Sequence, residues 1–105
     1  MSPMKLDPVS LRVFVAVMES GAIARAAARE HIAPSAASRR LAELESRLKV
    51  SLFERSNRGI RPTQAAHALL HLARGVLNDL DGIAAQMGEW GAGLRGQVRV
   101  AANIS

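Results

Sequence analysis

The chain has 105 residues, enough for one small domain and an appendage, and its lack of cysteine excludes a disulfide framework and a zinc–cysteine site. Hydrophobic residues make up 49%, but alanine supplies much of that and Phe14, Phe53 and Trp90 are the aromatics, so the core is thin and oligomerisation is an expected way of burying more surface. The net charge of +5 sits in residues 1–62, with eleven Lys and Arg against six Asp and Glu, while residues 63–105 balance at three and three, as expected of a polyanion binder.

Met1–Lys5 has no apolar run behind its lysine, so no signal peptide is expected there. No stretch approaches the roughly 18 apolar residues of a membrane span. The expected location is the cytoplasm, with no membrane partner and no cofactor.

Asp7-Pro8 predicts a helix start, with an acceptor at the cap and proline in the first turn. Leu11, Phe14, Val15 and Met18 follow on one face, and Gly21 ends the helix. A second, short helix is predicted over Ile23–Glu30, with Ile23, Ala26 and Ala27 inward, and His31-Ile32-Ala33 forms a turn. Pro34 opens the third helix, whose buried stripe is Ala37, Leu41, Leu44 and Leu48. Ser35, Ser38, Arg39 and Ala42 lie on or near its opposite face. Extended pieces around Ser51–Glu54 and Ile60–Arg61 flank the turn signal Ser56-Asn57-Arg58-Gly59, which predicts a two-stranded hairpin.

Thr63 is the expected cap of a long fourth helix, reaching about Glu89. Ala66, Leu69, Ala73, Val76, Leu80, Ile83 and Met87 recur at alternating gaps of 3 and 4, a heptad seam, and Leu70, Leu77 and Ala84 widen it. Glycines at 88, 91, 93 and 96 predict a flexible hinge, and Gln97–Ala101 alternates like a strand, which needs partners to be stable.

Three short helices and a hairpin, with positive charge around the third helix and the hairpin, form a winged helix-turn-helix pattern. A helix entering the major groove needs small polar or basic residues near its N-terminal end, and Ser35, Ser38, Arg39 and Arg40 supply them. Arg55, Asn57, Arg58 and Arg61 of the hairpin suit phosphates or a minor groove. Spacing alone also fits a three-helix bundle with solvated arginines.

The stretch Gly21–Leu48, GAIARAAAREHIAPSAASRRLAELESRL, resembles the helix-turn-helix of LysR-type transcriptional regulators. Val50–Thr63, VSLFERSNRGIRPT, resembles that family's wing and its entry to the linker helix. The likeness covers nearly the whole chain. It implies a mainly α fold: a winged helix-turn-helix over 1–62, a dimerisation linker helix over 63–90, a hinge over 91–96, and at 97–105 the start of a C-terminal effector-binding domain. It further implies sequence-specific binding of double-stranded promoter DNA as dimers or tetramers, with a small-molecule effector held only by the C-terminal domain. Pro34, Ser35, Ser38, Arg39, Arg40, Arg55, Asn57, Arg58 and Arg61 are the expected DNA contacts. Leu69, Ala73, Val76, Leu77, Leu80, Ile83 and Met87 are the expected dimer contacts.

Four positions depart from the family pattern. Where it opens its third helix with Ser or Thr and then Gln-Pro, this chain has Ala33, Pro34 and Ser35; Ala33 offers no side-chain cap, and Pro34 cannot make a glutamine's base contact. Ala66 stands where a glycine is usual. These changes bear on base preference. His67 and His71 stand one turn apart but off the seam, without an evident third ligand, and read as solvated. Trp90 reads as structural. No nucleophile–base set is evident, so an enzyme is not expected. A coiled-coil module whose winged helix binds protein is the alternative, and the basic third helix and wing argue against it.

Overall fold

The carboxylate of Asp7 accepts from the Val9 N–H at 2.8 Å and starts α1 (Pro8–Ser20), as the Asp-Pro pair predicts. The computed structural model describes residues 6–104, and side chains over residues 6–93. Gly21 closes α1 at φ 77°, a left-handed value that glycine adopts without a Cβ clash. The apolar face of α1 is broader than its sequence stripe. Leu11, Val13, Phe14, Val15, Ala16 and Val17 are all buried, because α2, α3 and α4 all pack on this helix.

Next come α2 (Ile23–Arg29) and α3 (Pro34–Leu48). The alanines of α2 do what small residues allow: Ala26 and Ala27 are fully buried where the helices approach closely. Between α2 and α3 the chain turns through His31 at φ 60°. The inner stripe of α3 is Ala37, Leu41 and Leu44, with Leu48 half-buried at its edge. Lys49 ends α3 in the left-handed region at φ 56°.

Strands β1 (Phe53–Ser56) and β2 (Gly59–Pro62) form the expected antiparallel hairpin, pairing Phe53 with Pro62, Glu54 with Arg61, Arg55 with Ile60 and Ser56 with Gly59. Leu52 and Phe53 anchor the wing in the core, where the Phe53 ring meets that of Phe14 at 5.8 Å between centroids. The Thr63 hydroxyl joins wing to helix: it donates to the Ser51 carbonyl at 2.7 Å and accepts from the Ala66 N–H at 3.2 Å. It thereby caps α4 (Gln64–Ile104).

Two expectations fail in α4. The helix runs unbroken through Gly88, Gly91, Gly93 and Gly96, where a hinge is expected over 91–96, and through Gln97–Ala101, where a strand is expected. Each interior glycine costs a helix about 1 kcal/mol relative to alanine without blocking its hydrogen bonds. A lone strand would leave its backbone groups without ladder partners, whereas a helix satisfies them internally.

The heptad seam also divides. Ala66 and Ala73 are buried within the chain, and Leu69, Leu70 and Leu77 pack half-buried on the same core. Val76, Leu80, Ile83 and Met87 are exposed, and Leu72 and Trp90 join them. The seam thus starts against the domain and lies open where the helix runs past it. Ile83, Met87 and Trp90 are 59%, 61% and 66% exposed, so no described residue covers this stretch.

Candidate nucleic-acid interface

The exposed face of α3 begins at its first turn. Ala33 takes the extended conformation of a cap residue (φ −68°, ψ 146°) but gives no side-chain hydrogen bond, as its methyl group dictates. Pro34, Ser35 and Arg39 are exposed, and Ser38 is half-buried. Arg40, expected beside them, turns away. Its guanidinium donates to the Asp7 carboxylate at 2.9 Å and to the Ser10 hydroxyl at 3.3 Å, bracing α3 against the start of α1. The Val9 N–H, and after it Arg40, hold the Asp7 carboxyl below its ordinary pKa of 3.8. Arg40 thus braces α3 in this structure. Its proximity to Asp7, 33 positions earlier, has no periodic signal in the sequence.

Arg55, Asn57, Arg58 and Arg61 are all exposed on the wing. The Arg58 N–H donates to the Ser56 hydroxyl at 3.2 Å, and Gly59 at φ 114° completes the turn between the strands. Among the described residues, Arg39, Arg55, Arg58 and Arg61 make no ion pair, while Arg29, Arg40 and Arg74 do. Arg12, Arg25, Arg47 and Lys49 are also outside these pairs, but Arg39 and the three wing arginines are the unpaired cations among the expected contact residues, free for an outside anion.

Sequence reading missed what ties these two elements. Nothing in the sequence around Glu45 marks it for a role. Its carboxylate accepts the backbone N–H of Leu52 at 2.7 Å and of Phe53 at 3.3 Å, fastening the root of the wing to the C-terminal half of α3. These contacts span seven and eight residues, too far for a local capping signal. Arg25 is similar on a smaller scale: its guanidinium donates to the Ser20 carbonyl at 2.8 and 3.2 Å and finishes the C-terminal end of α1.

His67 and His71 are exposed on α4, and the described residues hold no cluster of three side chains suited to a metal ion. No described helix is long and apolar enough to cross a membrane.

Comparison with known proteins places this arrangement. Residues 9–67 match the model of the bacterial regulatory helix-turn-helix protein, lysR family. A transcriptional regulator encoded in the ibpB–leuC intergenic region of Azotobacter vinelandii is 42% identical over 76 residues, which are 72% of this chain and 53% of that protein. The regulator TcbR of a Pseudomonas species (strain P51) is 46% identical over 67 residues, 64% of this chain and 23% of that protein. The chain thus spans about half the length of the first relative and about a quarter of the second. Among solved structures, the CbnR DNA-binding domain in complex with DNA superposes with a TM-score of 0.73 at 39% identity, over 83% of this chain and 99% of that one. The BenM DNA-binding domain on catB site 1 DNA gives 0.76 at 30% identity, over 80% and 94%. With its helix-turn-helix, wing and linker helix all matched, the chain belongs to the lysR family of bacterial regulatory helix-turn-helix proteins.

Proposed function

We propose that this chain binds double-stranded DNA sequence-specifically to control transcription. The observation that carries the reading is a group of exposed cations without ion pairs, Arg39 on α3 and Arg55, Arg58 and Arg61 on the wing, within a fold similar over four-fifths of its length to domains solved on DNA. Pro34, Ser35, Ser38 and Arg39 face base edges in the major groove. Arg55, Asn57, Arg58 and Arg61 follow phosphates or the minor groove. Arg40 serves the same end indirectly by bracing α3.

Two copies pair through the open side of α4, chiefly Val76, Leu80, Ile83 and Met87, with Leu72 and Trp90 extending the stripe. Leu69, Ala73 and Leu77 back that contact from within each chain. Pairing presents two recognition helices to two half-sites. We infer further that the whole protein senses a small molecule through an additional domain, forms tetramers and works in the cytoplasm; the greater length of the relatives supports the additional domain.

Selection from random duplex DNA, followed by titration at two salt concentrations, tests the reading. Two related half-sites should be enriched. The log of the association constant should fall with log salt by about 0.9 for each phosphate neutralised. Equal affinity for selected and random duplexes would overturn sequence specificity.

A further inference from the structure

Glu19 lies in the last turn of α1 and divides its carboxylate between two other helices. Oε1 meets the Arg29 guanidinium of α2 at 2.6 Å, and Oε2 meets that of Arg74 of α4 at 2.9 Å. The hydrogen bonds from Arg74 and Arg29 hold the Glu19 carboxyl below its ordinary 4.5. Among the described residues this is the one ion pair that reaches α4.

Its place along the helix gives it leverage. The apolar contact between α4 and the domain rests on buried Ala66 and Ala73, with Leu69, Leu70 and Leu77 at its margin. Alanines set a distance, but a single methyl forms little ridge to resist rotation. After Leu77 no described residue of α4 joins the core. Arg74 therefore stands where the helix leaves the domain. From there to Trp90 the helix rises about 24 Å, so a swing of about 10° at the exit moves its far end by about 4 Å. That exceeds the roughly 3.4 Å step between base pairs.

We propose that Glu19 is a positioning residue: through Arg74 it sets the angle between the DNA-reading unit and α4, and so the half-site separation that a pair of chains selects. This rests on the proposed reading of paired binding to DNA. Each arm is a half-exposed ion pair and is modest by itself. A pair of chains holds the clamp twice, so its loss is felt twice in one complex.

The test uses the full chain as wild type, Glu19→Gln, Arg74→Gln and Arg29→Gln. Each is titrated against a duplex with one selected half-site and against duplexes whose two half-sites are moved apart one base pair at a time. Wild type should show a sharp optimum. Glu19→Gln and Arg74→Gln should bind the single half-site within about twofold of wild type, yet lose about three- to tenfold of the preference for the best spacing over its neighbours. Arg29→Gln keeps the arm to α4 and should keep the wild-type profile. An unchanged profile in Glu19→Gln and Arg74→Gln overturns the proposal. So does an equal loss on the single half-site, which would mark the clamp as merely structural. A wild type that gains nothing from a second half-site defeats the paired reading instead. Circular dichroism verifies folding, and if Glu19→Gln unfolds, Arg74→Gln decides.

Discussion

Arg39 and Arg40 are neighbours in sequence and opposites in circumstance. One is exposed without an ion pair; the other is bound to Asp7 and Ser10. The difference is one step of about 100° around α3. Arg39→Ala should cost about 1–3 kcal/mol at the preferred site and relax base preference at one position. Competition titration against single-base variants measures this, and an equal loss on random DNA would make Arg39 a phosphate contact. Ala33 permits a test in the stabilising direction. Its backbone already has the cap conformation, so Ala33→Ser should raise stability by about 1 kcal/mol, read from denaturant midpoints.

At the scale of elements, α3 and the wing form one working part through Glu45. Glu45→Ala leaves the Leu52 and Phe53 N–H groups without their charged acceptor and should lower stability by about 2 kcal/mol. Affinity should then fall for all sequences alike, because the loosened wing carries Arg55, Arg58 and Arg61 whereas base reading stays with α3. A changed base preference in that variant would contradict this division. The elements themselves were legible in the sequence. Asp7-Pro8, Gly21, Pro34 and Thr63 act locally, and each sits where its chemistry predicts. The ties between elements were not legible. Arg40 reaches Asp7, Glu45 reaches Leu52, and Arg74 reaches Glu19 across 33, 7 and 55 positions, and such contacts follow from packing rather than periodicity. The glycines of α4 misled for a related reason: glycine weakens a helix without dictating its end.

Over the whole molecule the seam on α4 joins shape to assembly. Leu80 lies within its open stretch, flanked by Val76, Ile83 and Met87. Leu80→Asp should place an unpaired charge in the contact between two copies, at a cost of about 3 kcal/mol or more to pairing. Sedimentation should then find single chains where the wild type is paired. Affinity for a two-half-site duplex should fall far more than for one half-site. A wild-type chain that stays single at tens of micromolar, an order-of-magnitude working concentration, would contradict pairing through α4 alone.

The bare stripe from Leu72 to Trp90 also makes abundance a variable of the fold. A surface that a second copy covers adds to the stability of the native state by mass action. The melting midpoint should therefore climb with the logarithm of protein concentration. On dilution, the helix beyond Leu77 should be the first part to exchange its amide protons, because past that residue no described side chain of α4 packs on the core.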